Sequence, residues 1–385
     1  MLPFSIINKY GNVVVESSIK KMTASSQTIA ILYTNGNLYM RGTNQYNSFG
    51  VTGGSTTDWT LCNSDVDDVW CGHYHTIVKL KNGEYWCAGF YRSLGTNSGT
   101  TTWAKYQKLH DLLAANSTLT ILQIQTGQQG THVLLSNNKL YSIGYNATYC
   151  LLPASAAGNG ASVQTFTLSY TGAKKVCTNI NAGMIITTAN KLMVMGSSDN
   201  YKLGSGNGTL TSWTAATLPS AYPYVIDIHE GYRDTLVYAA PDSTGANARI
   251  LMAGYNGYNT LGLNPNTAAS TLQTYTASNV ATTVLSFGTG WMGLTYQGFY
   301  VDGTTLYTSG VNGANIGSKT DKISGYTAVP FTDTHTGTID SFGILGLSNS
   351  NACTFVLSNN NIYAIGVASW LGTDTYTLTR QNKPE

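Results

Sequence analysis

The sequence predicts an all-β chain, a seven-bladed β-propeller of four-stranded blades, on three observations. A hairpin pattern recurs seven times, a glycine closes each copy, and sustained helical periodicity is absent apart from a weak candidate at "YQKLHDLLAANS". The copies read "TIAILYTNGNLYMRG", "TIVKLKNGEYWCAG", "THVLLSNNKLYSIG", "MIITTANKLMVMG", "TLVYAAPDSTGANARILMAG", "GFYVDGTTLYTSG" and "TFVLSNNNIYAIG". They close on Gly42, Gly89, Gly144, Gly196, Gly254, Gly310 and Gly366. That interval, about 50 residues, holds about four strands. One such unit cannot bury both of its faces, so neighbours stacked around an axis must supply the core.

Each element has a local reason. The first strand of a copy alternates apolar residues and ends in a tight turn of the type Asn35-Gly36, Asn82-Gly83, Asn137-Asn138, Asp302-Gly303 or Asn359-Asn360, residues that accept positive φ. In the second strand the positions four and two before the closing glycine are mostly apolar, as in Leu38 and Met40 or Ile250 and Met252, and period two packs one sheet face inward. Residues 28–42 and 354–366 are therefore expected as the inner hairpins of adjacent blades. A second glycine follows eight residues after Gly42, Gly196 and Gly254, at Gly50, Gly204 and Gly262; shorter versions end in Gly95, Gly317 and Gly372, and the third copy departs with Tyr149-Cys150.

With "GTNQYNSFG" and "GYNGYNTLG" as the best matches, residues 21–385 resemble the propeller repeats of the regulator of chromosome condensation family. The resemblance implies seven blades and a structural histidine near His75 and His132. In its eukaryotic members the family includes nucleotide-exchange factors for a small GTPase and chromatin binders with a basic tail. No functional residue of the exchange activity has a counterpart here, and no basic tail is present, so exchange is the least favoured reading.

Composition narrows the function classes. Only 10% of residues are charged, against about 25% in an ordinary soluble protein, while 41 Gly and 26 Tyr accompany abundant Thr, Ser and Asn. A net charge of +2 supplies no basic stripe for nucleic acid and no polybasic membrane patch, and no apolar run reaches the roughly 18 residues of a membrane helix. Neither nucleic acid nor membrane insertion is expected. The six cysteines are irregularly spaced and read as free core thiols.

Chemistry-bearing motifs are few. "CGHYH" sets Cys71, His73 and His75 at spacing two, as if on one strand face, but no further ligand has motif spacing. No metal and no cofactor is expected. "DVDDVW" (Asp65, Asp67, Asp68) and "DIHE" (Asp227, Glu230) offer carboxylates for glycoside hydrolysis, yet a separation of three sends Asp227 and Glu230 to opposite faces of a regular strand. No catalytic site is assigned. The recurrent loop aromatics Tyr46, Tyr91, Tyr201, Tyr258 and Trp370 form a candidate sugar-stacking or receptor surface, with blade packing as the competing role.

The low charge, the Gly, Thr, Ser, Asn and Tyr content and the lack of a signal-like N-terminus resemble tailed-bacteriophage virion proteins assembled in the host cytoplasm: tail, fibre, baseplate or capsid-decoration components. On that reading the partners are other virion proteins and a host surface glycan or receptor. The alternative is a bacterial surface or secreted binding propeller, which needs an export route. Residues 1–20, with apolar Leu2, Phe4, Ile6 and Ile7, are either a docking segment or the strand that closes the ring.

Overall fold

A computed structural model of the chain describes residues 6–7, 13–14, 17–25, 27–257, 262, 271–278, 280, 286–289, 297–313, 318–348 and 351–384. The chain forms seven antiparallel four-stranded sheets in sequence order, the blades of one propeller, and a separate two-stranded pairing of Ile6–Ile7 with Val13–Val14. Leu2 and Phe4 lie outside the described residues.

The inner strands are Ile19–Ala24, Val66–Cys71, Ile121–Thr126, Ala173–Thr178, Tyr224–Glu230, Ser286–Thr289 and Ile339–Ser348. The repeating hairpin supplies the second and third strands of each blade, as in Thr28–Tyr33 with Leu38–Gly42 and Asn351–Ser358 with Asn361–Gly366. The hairpins are thus the middle of each blade and not its axial edge. Inner strands such as Val66–Cys71 and Ala173–Thr178 mix polar and apolar residues because one side faces a channel, so they carry little of the alternation that marks the hairpins.

Each closing glycine pairs with the first residues of its own hairpin, for example Thr28 with Gly42 and Asp234 with Gly254. Gly254 has φ +111°, and a Cβ there would fall 2.3 Å from the Arg233 carbonyl oxygen. Only glycine fits this crossing.

Every outer strand bulges opposite that glycine. Met40 and Gly42 oppose Thr60 and Thr56, and Val194 and Gly196 oppose Thr214 and Leu210, so the outer strand holds two extra residues there. The bulge presents one large side chain: Trp59, Trp103, Phe166, Trp213, Tyr275, Tyr326 or Leu378. These side chains reach the preceding blade. A Cβ on Gly50 would meet Trp103 at 2.2 Å, and one on Gly204 would meet Tyr275 at 2.6 Å.

The core is correspondingly divided. Seven hydrophobic clusters each straddle one pair of neighbouring blades, such as Met40, Phe49, Val69 and Val78 between blades 1 and 2. Each fully buried Leu, Ile or Phe contributes about 1.5–3 kcal/mol. Blade 7 takes all four strands from residues 339–380, and it meets blade 1 through Met22, Ile31, Leu345 and Phe355. The ring is closed by side-chain packing, with the Ile19 N–H donating to Asn360 Oδ1 (2.6 Å) and the Tyr33 hydroxyl to the Pro384 carbonyl (3.2 Å).

Two local readings change. Gln45–Asn47, Ala147–Tyr149 and Asp199–Tyr201 form equivalent 3-10 turns, which sets Leu151-Leu152 in the register of Phe49-Gly50. The departure of the third copy is Leu152, not Tyr149-Cys150; Asn146 accepts from the N–H groups of Leu151 and Leu152 and so holds the loop without a glycine. The weak helical candidate is a helix, Gln107–Ala115, inserted between blades 2 and 3 on buried Leu109 and Leu112.

Candidate functional site

Strand direction sorts the loops onto two faces. Loops joining the first and second strands, and the third and fourth, open on one face; hairpin turns and blade-to-blade links open on the other. The recurrent aromatics follow the third strand, so Tyr46, Tyr91, Tyr201 and Trp370 share the first face. Tyr258 lies outside the described residues.

Folding brings further rings beside them. Tyr46, 44% exposed, stacks on Phe90 (4.4 Å between centroids) and meets the edge of Tyr74 (5.2 Å). Phe90 meets Tyr91 at 4.8 Å. The exposed Arg92 guanidinium lies over Tyr91 and Tyr145, 5.8 and 5.1 Å from their centroids, and Arg233 lies over Tyr232 and Tyr255. Stacking holds these cations flat at small desolvation cost. Tyr46 therefore packs one blade on the next and also presents a free edge. Sequence reasoning missed Tyr74, Phe90, Tyr145, Tyr232 and Tyr255, of which Phe90, Tyr145 and Tyr255 directly follow a closing glycine.

The axial channel is polar and internally paired. Its cavity, about 370 Å³, is lined by inner-strand residues of blades 1 to 5. Lys21 bonds Asp68 at 2.7 Å, Lys175 pairs with Asp227, and the Gln123 amide donates to the Val176 carbonyl (2.7 Å) while accepting from its N–H (3.0 Å). Asp67 is held by Lys20 (2.6 Å) and Lys79 (2.9 Å), which bring its carboxyl down to about 2. Asp65 is exposed in the link before blade 2, where its carbonyl accepts the Lys81 N–H (3.0 Å).

Glu230 has no solvent contact, nor has its partner Lys202; Lys202 Nζ donates to Glu230 Oε1 at 2.6 Å and to Asn181 Oδ1 at 2.7 Å. The Asn179 N–H donates to Glu230 Oε2. Burial pushes the Glu230 carboxyl up, against the pull of Lys202. The pair locks blade 4 to blade 5, and Asp227 and Glu230 are held by two different lysines.

Cys71, His73 and His75 do not share a strand face. The inner strand ends at Cys71, the chain reverses through 72–74, and His75 opens the next strand. His75 Nε2 lies 3.0 Å from Thr131 Oγ1 in the next blade, and His132 Nδ1 lies 2.6 Å from Ser142 Oγ. Burial takes all three imidazoles, His73, His75 and His132, down to about 3, so they are neutral structural groups. All six cysteines are unpaired, and burial pushes Cys62, Cys71 and Cys87 up to about 12, which suppresses the thiolate. No described helix is long and apolar enough to cross a membrane.

No known protein-family profile matches the chain. Solved structures do. Prp20p from Saccharomyces cerevisiae superposes with a TM-score of 0.68 at 14% identity, over 95% of this chain and 83% of that one. Yeast RCC1 (Prp20) bound to Kap60 gives 0.69 at 13% identity, over 96% and 86%, and human WBSCR16 gives 0.66 at 14%, over 89% and 91%. These likenesses establish the fold: a seven-bladed propeller with repeats like those of RCC1.

Proposed function

We propose that this chain is a non-catalytic protein-interaction propeller that engages its partner through the aromatic face, and that it serves as a structural protein of a tailed-bacteriophage particle. The carrying observation is the run of Tyr46, Tyr74, Phe90, Tyr91 and Tyr145 across three blades with Arg92 stacked among them. Rigid aromatics and arginine are the residues that dominate protein interfaces. Four of the five carboxylates that could have served catalysis, Asp67, Asp68, Asp227 and Glu230, are each held by lysine, which supports the same reading.

Similar propellers bind proteins: the Prp20p work reports binding to Gsp1p and histones. The particle assignment draws its support from composition, with 10% charged residues and 41 glycines, and from unpaired cysteines suited to assembly in a reducing cytoplasm. Residues 1–20 would attach the propeller to the particle, leaving the aromatic face toward neighbouring proteins or the host surface.

Quantitative immunodetection on gradient-purified particles tests this. The chain is expected at a fixed copy number per particle, and Tyr46→Ser with Phe90→Ser should abolish partner capture without lowering Tm by more than a few degrees. Recovery from the bacterial envelope or medium, with none on particles, would replace the particle assignment by a secreted binding propeller.

A further inference from the structure

Seven equivalent seams allow each to be read against the others. At the seam from blade 2 to blade 3, the short third-to-fourth-strand loop ends in Gly95, and a Cβ there would meet Ile143 at 2.3 Å. Blade 7 has the same short loop, a four-residue helix Ala368–Leu371 capped by left-handed Gly372, but no atom of the next blade lies within 4 Å of a Cβ placed on Gly372. The residue that fills this space precedes the closing glycine. Around the ring that position is Ala88, Ile143, Met195, Ala253, Ser309 and Ile365, and in blade 1 it is Arg41.

The substitution opens a pocket of about 400 Å³ between blades 7 and 1, lined by Arg41, Asp58, Trp59, Trp370, Gln381 and Asn382 among others. Arg41 is 6% exposed, lies over Trp59 (5.4 Å) and Phe355 (5.3 Å), and donates through Nη2 to the Trp370 carbonyl. Its Nε–H is buried without an acceptor, an arrangement native proteins rarely leave unanswered. Trp59, half-buried beside it, differs from the other bulge tryptophans. The bulge tryptophans Trp103 and Trp213 donate to Cys62 O (3.0 Å) and Ser169 Oγ (3.2 Å), whereas no acceptor among the described residues meets the Trp59 indole N–H.

We propose that this seam is a binding site for a neutral saccharide. Indole faces take the C–H side of a pyranose; the Arg41 Nε–H and Trp59 N–H donate to ring or hydroxyl oxygens; Asp58 and the Gln381 and Asn382 amides accept and donate at the hydroxyl edge. An anion meets the Asp58 carboxylate and a cation meets Arg41, so a neutral ligand with both donors and acceptors is favoured. The volume lies within the usual range for small-molecule sites, about 300–1,000 Å³. The site is separate from the Tyr46–Phe90 cluster and does not depend on it.

An array of neutral hexose and N-acetylhexosamine oligosaccharides probed with the full chain, followed by tryptophan-fluorescence titration with the methyl glycosides of the sugars retained, tests the proposal. Binding is expected to weaken at least about tenfold in Trp370→Ala and about threefold or more in Asp58→Asn. Asp58 is exposed and outside the core, so its variant stays informative even if Trp370→Ala unfolds. Tyr46→Ser with Phe90→Ser should leave saccharide affinity unchanged. No retention of any neutral saccharide, retention that survives both seam variants, or capture only of peptides or acidic sugars would overturn it.

Discussion

Replacing Glu230 by Gln isolates the energetics of the blade 4 to blade 5 joint. The Lys202 ammonium is fully buried, and its acceptors are Glu230 Oε1 at 2.6 Å and Asn181 Oδ1 at 2.7 Å. Gln keeps the volume and removes the charge, leaving a buried cation with only neutral partners. Removing one member of such a pair costs about 3–5 kcal/mol, whereas exchanging both for uncharged residues of similar size is close to neutral. Glu230→Gln is therefore expected to lose about 3 kcal/mol or more in urea unfolding, and Lys202→Met with Glu230→Gln to return within about 1 kcal/mol of wild type. Lys202→Met alone behaves differently because Glu230 can take up a proton. Its carboxyl, already raised by burial, rises further without Lys202, so the folded state binds a proton that the unfolded chain has released. A raised carboxyl leaves stability intact at low pH and removes it as pH climbs through the folded value, so this variant should be less damaged at pH 5 than at pH 8. A double variant as unstable as Glu230→Gln, or a single variant losing under about 1 kcal/mol, would refute the reasoning.

Gly254→Val places a Cβ 2.3 Å from the Arg233 carbonyl at φ +111° and should destabilise by about 2 kcal/mol or more, read as a fall in Tm well beyond that of an exposed control such as Thr211→Val. Because burial holds His73, His75 and His132 down to about 3, the unfolded chain alone takes up these protons as pH falls from about 6.5; stability should drop by about 1.4 kcal/mol per imidazole per pH unit, and equal urea midpoints at pH 7 and pH 5 would contradict neutral buried rings. Deleting residues 2–12 leaves blade 1, which begins at Ile19, with all four strands; the truncated chain should keep its Tm and lose particle incorporation, and a destabilised chain that still incorporates would speak against docking by this segment.

What could be read from the chain was what local chemistry dictates. Hairpin turns and closing glycines impose positive φ on particular residues, so "NG" and the seven terminal glycines mark their strands without help from distant contacts. Inner strands such as Val66–Cys71 were obscured because Asp67 and Asp68, each paired with lysine, interrupt an otherwise apolar strand. The outer bulge was obscured too: "TTDWTL", "TTTWAK" and "TLTSWTA" share a ring between polar residues, but its purpose appears only when the ring reaches the preceding blade. At the candidate face, Tyr46 and Trp370 stood out by recurrence, while Tyr74 and Tyr232 sit in a different loop that only folding sets alongside. Arg41 was visible as the odd residue in "YMRG" among "WCAG", "YSIG" and "YAIG", yet its meaning depends on Trp370 and Phe355, which only ring closure sets beside it.

Closure by packing also sets how the propeller carries load. Residue 19 begins blade 1 and residue 380 ends blade 7, on opposite sides of one joint held by side chains and a few hydrogen bonds. Tension between these points loads that joint together with the ladders that hold Ile19–Ala24 in blade 1 and Thr375–Arg380 in blade 7. Once it parts, blades leave the ring in succession from either side, each paying out about 50 residues, roughly 170 Å of extended chain. A propeller latched by an exchanged strand would hold the joint itself with a full backbone ladder in shear. This ring is built to yield stepwise, like a tether that lengthens under strain before it breaks.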